Sequence, residues 1–174
     1  MLQSIAWWPT LIVVAVATFT DLRSRRIPNW LVFPFMLAGV AVSFAPPSWH
    51  GIGFAQSLEG LGLGILLFGI LAWMGGMGMG DVKLCAAIGA WVGPMQLFMA
   101  LVVTGIVGGF MAVAWAAMGG FLGELFTGSS TLLFGWKKDA MRTDPELKLS
   151  NPRARKMPYA PAIAIGTLFS FFAR

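Results

Sequence analysis

Six apolar stretches, at residues 5–20, 28–45, 58–74, 82–92, 95–118 and 158–173, fill most of this 174-residue chain. Charged residues make up 11% of it and hydrophobic ones 57%, and the mean hydropathy is +0.78. A water-soluble domain of this size needs far more polar surface. The pattern therefore predicts an all-α, polytopic integral membrane bundle of about six transmembrane helices, forming one domain over residues 1–174. The stretch from Val82 to Val92 is shorter than the about 17 residues a span needs. It reads as a short helix that Gly93-Pro94 turns into the next one. Residues 1–9 carry no Lys or Arg, so the first stretch is expected to be a retained span rather than a cleaved signal.

The charges lie between the apolar stretches. Arg23, Arg25 and Arg26 follow the first, Lys83 opens the fourth, and seven Lys or Arg fall between Lys137 and Lys156. With six spans, eleven of the twelve basic residues share one side and Arg174 is on the other. The positive-inside rule makes that shared side cytoplasmic and puts both termini outside. Residues 119–157 are then expected to form a cytoplasmic loop. Trp7, Trp8, Trp49 and Trp91 would fall near the outer interface, and Trp30, Trp73 and Trp115 near the inner one. This distribution of the +5 net charge signals membrane orientation, not nucleic-acid binding.

Asp21 ends the first apolar stretch and Asp81 opens the fourth, so the topology brings both to one face. Taken singly, each has a structural reading. Asp21 fits a helix-end charge paired with an arginine one turn on, and Asp81 fits an N-cap. The run Gly75-Gly76-Met77-Gly78-Met79-Gly80 in front of Asp81 changes the balance. Glycines at membrane depth let an extended substrate backbone approach closely. A dinucleotide fingerprint lacks its strand and third glycine, and a phosphate loop lacks its Gly-Lys-Ser/Thr. Cys85 and His50 are single, which leaves no disulfide and no Cys/His zinc set, so no metal or other cofactor is expected.

Gly78-Met79-Gly80-Asp81-Val82-Lys83-Leu84 resembles the GxGDxKL signature of the prepilin peptidases, membrane aspartic proteases that process type IV pilin precursors. Asp21-Leu22-Arg23-Ser24-Arg25-Arg26-Ile27-Pro28-Asn29 resembles that family's first catalytic segment. Lys156-Met157-Pro158-Tyr159-Ala160-Pro161 resembles the start of its last helix, with Pro161 in place of a small residue. The resemblance implies Asp21 and Asp81 as the catalytic pair. It also implies motif or substrate-binding roles for Gly78, Gly80, Lys83, Pro28, Asn29, Pro158, Tyr159 and Pro161. Bifunctional members carry an N-terminal methyltransferase region with paired CxxC motifs. Nothing like it precedes Asp21, so a short, peptidase-only form like those of tight-adherence (Flp-type) pili is expected, without methyltransferase activity.

Two adjacent carboxylates hydrolyse a peptide when one takes a proton from water and the other, protonated, polarises the carbonyl. Like charges a few ångströms apart titrate as a pair. The resemblance implies a prepilin and the lipid bilayer as partners, and the cytoplasmic (inner) membrane of a bacterium as the location. Two other classes stay open: a small proton- or cation-coupled transporter using Asp21 and Asp81, and a non-catalytic pilin-binding assembly factor. Glycine pairs 60/64, 105/109 and 119/123 have helix-packing spacing.

Overall fold

The computed structural model describes residues 6–45, 51–73, 77–119 and 159–172, and every element in them is helical. The helices are α1 (Trp7–Ser24), α2 (Asn29–Val42), α3 (Phe54–Trp73), α4 (Met79–Val92), α5 (Pro94–Gly119) and α6 (Ala160–Phe172). Pro158, His50, Gly75, Gly76 and residues 120–157 lie outside the described residues.

The boundaries follow from local chemistry. Arg25 closes α1 in the left-handed region (φ 51°), and its N–H returns to the Asp21 carbonyl. Pro28 caps α2 in extended backbone, where the residue's fixed φ suits a helix start. Gly78 caps α4 likewise. Gly93, at φ 80°, ends α4, and Pro94 sits at the first position of α5, where its missing N–H costs no helical bond.

Neighbours alternate in direction, so the chain runs up and down. Trp7 of α1 meets Phe171 of α6, while at the other end of α1 Asp21 meets Ala160. Asn29 and Phe35 of α2 face Lys83 and Trp91 of α4, so these two run parallel. Helix α4 is the centre. From Leu84 to Val92 every residue is buried. Gly60 and Gly64 of α3 bring its backbone onto α4: a β-carbon on Gly60 would collide with the Gly89 carbonyl, and one on Gly64 would lie 2.8 Å from the Ala86 Cα. The Ser57 hydroxyl donates to the Ala90 carbonyl at 2.7 Å in the same seam.

Three sequence expectations need correction. Shortness is not confined to one helix: α2, α4 and α6 have 14, 14 and 13 residues. Helices α3 and α5 are the two described helices long and apolar enough to cross a membrane. Among the described residues the 105/109 glycine pair packs against nothing; Gly108, against Tyr159, and Gly166, against Thr104 and Ala100, make the close approaches instead. Trp91 is no interfacial indole. It is buried, stacked on Phe35 at 5.0 Å, and its Nε1–H donates to the Phe35 carbonyl at 2.7 Å. By contrast Trp8, Trp30 and Trp73 are exposed near helix ends.

The outer faces are apolar. Ile12, Phe19, Leu37, Ile65, Leu66, Ile70, Val102, Ile106, Phe110 and Phe169 are all exposed. The apolar windows of α3 and α5 are each 22% buried, whereas the core helix of a soluble protein is mostly enclosed.

Candidate active site

Asp21 sits one turn before the end of α1 and turns its side chain inward, with 7% of its surface exposed. A buried carboxylate needs a donor. The donor is the backbone N–H of Ala160, 3.1 Å from Oδ2. Ala160 is the first residue of α6, so its N–H has no partner inside that helix and the positive end of the helix dipole faces the carboxylate. Thr18, one turn earlier on α1, reaches the Ala160 carbonyl at 3.5 Å, a second tie between the same two helices. The expected surface pairing of Asp21 with an arginine is absent among the described residues. Arg25 touches Asp21 through backbone alone.

Asp81 is the third residue of α4, not its N-cap. Its backbone N–H bonds the Gly78 carbonyl at 3.1 Å, and a β-carbon on Gly78 would lie 3.3 Å from its Oδ2. The carboxyl group thus folds back over an exposed glycine, and among the described residues a β-carbon on Gly78 would meet nothing else. Asp81 is half-buried and within electrostatic reach of Asp21. Tyr159 is within electrostatic reach of Asp81 and of Cys85, which lies buried one turn further along α4.

The remaining motif residues form the support. Gly80 is in the first helical turn with no unusual φ, and a β-carbon there would lie 3.3 Å from the Ile27 Cβ. Its smallness therefore lets the Ile27-Pro28 segment close against α4, and the open backbone edge is at Gly78. Pro28 offers its carbonyl to the N–H groups of Leu31 and Val32. Lys83 donates to Asn29 Oδ1 at 3.2 Å and lies 5.3 Å from the Phe33 ring centre, pinning α4 to α2 at the rim. Pro161 is the second residue of α6, a position that needs no N–H. Two groups have no counterpart in the sequence reading: the Ala160 N–H and Gly108, whose bare backbone receives the Tyr159 ring. A backbone donor leaves no mark in residue type. Gly108 was hidden among glycines whose spacing pointed to 105 and 109.

A cavity of about 340 Å³ opens at the other end of α4, beside Gly93, Gln56 and Gln96. It holds no carboxylate and lies away from Asp21 and Asp81. Chemistry that needs paired acids belongs to the aspartate end.

Residues 8–113, which hold both aspartates, α2 to α4, and most of α1 and α5, match the type IV leader peptidase family. The chain belongs to that family. Among its curated relatives, the prepilin leader peptidase/N-methyltransferase of Aeromonas hydrophila is 32% identical over 108 residues, 58% of this chain and 36% of the relative. The protein of the same name in Xanthomonas campestris pv. campestris is 32% identical over 99 residues, 55% of this chain and 34% of the relative. That of Burkholderia pseudomallei is 31% identical over 132 residues, 66% of this chain and 41% of its own length. The chain thus spans about a third to two fifths of the leader peptidase relatives it matches. No solved structure matches it.

Proposed function

We propose that this chain is a membrane-embedded aspartic endopeptidase that removes the basic leader from type IV prepilins, of the Flp type, at the cytoplasmic face of a bacterial inner membrane. The observation that carries this reading is the placement of Asp21 and Asp81, on two different helices, within electrostatic reach of each other. Membership of the leader peptidase family and the names of the relatives support the substrate class. The apolar outer faces of α3 and α5 support a bilayer setting, and the cluster of basic residues beside Asp21 supports a cytoplasmic one.

The reaction is general acid–base hydrolysis. One carboxylate, ionised, takes a proton from a water molecule as the oxygen attacks the scissile carbonyl. The other, protonated, donates a hydrogen bond to the carbonyl oxygen, and a proton then passes to the departing amine. Two acids close together favour the singly protonated pair that this requires. Gly78 leaves an open backbone edge beside Asp81 where an extended substrate can lie, and Lys83 with Asn29 holds the rim. No metal or other cofactor takes part, and a methyltransferase step is not proposed for these 174 residues, whose single cysteine cannot form paired CxxC motifs.

The transporter reading is not favoured, because the family match points to peptide cleavage. Co-expression with a Flp-type prepilin tests the proposal. Cleavage should appear as a size shift on a gel and vanish with Asp21→Asn. An unprocessed prepilin beside membrane-inserted wild-type protein would remove the reading.

A further inference from the structure

Tyr159 directly precedes Ala160 and is half-buried. It lies against the backbone of Gly108 in α5: a β-carbon on that glycine would collide with the Tyr159 hydroxyl and come within 2.7 Å of ring carbon Cε2. Gly108 is buried, and it is the fifteenth residue of α5. That places it about 21 Å along the helix, level with the first turn of the 14-residue α4 where Asp81 sits. Gly105 and Gly109, on either side, have no described residue in front of them. Position 108 is therefore a notch of one residue, and one aromatic ring occupies it.

The next α5–α6 contact is also tight. A β-carbon on Gly166 would collide with Thr104 Oγ1 and the Ala100 carbonyl. Further on, Gln96 donates to the Ser170 carbonyl at 3.3 Å. Helix α6 is thus fixed along α5 by small-residue seams, and the Tyr159 ring sets the seam nearest the aspartates. The residue that follows the ring supplies the N–H on Asp21 Oδ2. A shift of α6 by a few tenths of an ångström would lengthen that 3.1 Å bond beyond good geometry.

We propose that Tyr159, seated in the Gly108 notch, is a positioning residue for Asp21: the ring fixes where α6 begins and so holds the Ala160 N–H on the carboxylate. The proposal rests on the peptidase reading for its effect on rate, but not for its effect on the hydrogen bond. Neither Gly108 nor its contact with Tyr159 belongs to the motifs that single out the aspartates.

The full chain in lipid vesicles, with ¹³C-carboxyl aspartate, provides the test. The infrared band that disappears in Asp21→Asn is the Asp21 carboxyl, and its frequency reports the hydrogen bond. Gly108→Ala, which fills the notch, should move that band and lower kcat at least tenfold while KM changes less than twofold. Tyr159→Leu, which removes the ring without adding bulk, should move the same band. Gly105→Ala, the same change on the open face of the same helix, should leave band and kcat as in wild type. The double variant Gly108→Ala with Tyr159→Leu should be no worse than Tyr159→Leu alone, because the added methyl then meets no ring. An unmoved band in both folded single variants, or effects that multiply in the double, would overturn the proposal. A band that moves as described in a protein that cleaves no prepilin would support the positioning and sink the peptidase reading.

Discussion

Asp21 owes its place to a partner 139 residues away in the chain, and its chemistry follows from that partner. Replacing Asp21 or Asp81 by Asn keeps shape but ends proton transfer, so each change should lower cleavage by at least about a hundredfold. Assays on folded, membrane-inserted protein check this. Arg25 gives a second expectation. It holds a left-handed conformation that disfavours a β-carbon, so Arg25→Gly should raise the thermal midpoint, with a gain of about 0.5–1 kcal/mol after the glycine's extra chain entropy. The two acids were legible in the sequence because carboxylates stand out among apolar residues. Ala160 was not, because what it offers is a backbone N–H, identical in every residue but proline. Gly80 adds a contact that the sequence does not announce, because residue type does not say which neighbour fills the space a glycine leaves: a β-carbon there would meet Ile27.

Between helices, the same distinction separates glycines that look alike. Gly60 and Gly64 have backbone of α4 in front of them, where no side chain can yield. Gly60→Ala should therefore lower stability by about 1–3 kcal/mol, the usual result of overpacking. Gly62→Ala, facing open space on the same helix, should be neutral or gain up to about 1 kcal/mol. Parallel thermal melts in one detergent decide between them. The four-residue spacing announces the 60/64 pair, whereas the 105/109 pair has no partner among the described residues. Spacing fixes which residues share a helix face, but the face turned to a neighbour depends on the whole bundle. Trp91 shows the same limit. Its position near a helix end suggested an interface, yet α2 passes close enough there to offer the Phe35 carbonyl, and the indole is drawn inside.

For the molecule as a whole, the proposed orientation makes a direct prediction. A reporter fused after Arg174 should report the outer face, and one inserted beside Lys138 the cytoplasm. The reverse result at both sites would turn the bundle over and put the aspartates on the wrong side for a basic leader. The described helices and their alternating direction were readable from apolar stretches and charge alone. Helix lengths were not, because the ends are set by particular contacts such as Gly93 and Pro28 rather than by hydrophobicity.

The shortness of α2, α4 and α6 reaches beyond the protein. At about 1.5 Å per residue they measure about 20–21 Å, against a hydrocarbon thickness of about 30 Å. Helix α4 is shielded by its neighbours, but α2 and α6 expose Leu37, Ile165, Leu168 and Phe169 to their surroundings. In the proposed bilayer setting, lipids there would compress or the helices would tilt, while α3 and α5 are long enough to cross. The bundle is then a wedge, thin beside α1, which touches both α2 and α6, and thick behind. Such a mismatch would draw the headgroup layer down toward Asp21, so acyl-chain length becomes a control on water access. Turnover in vesicles should fall as the chains lengthen, with the site itself unaltered.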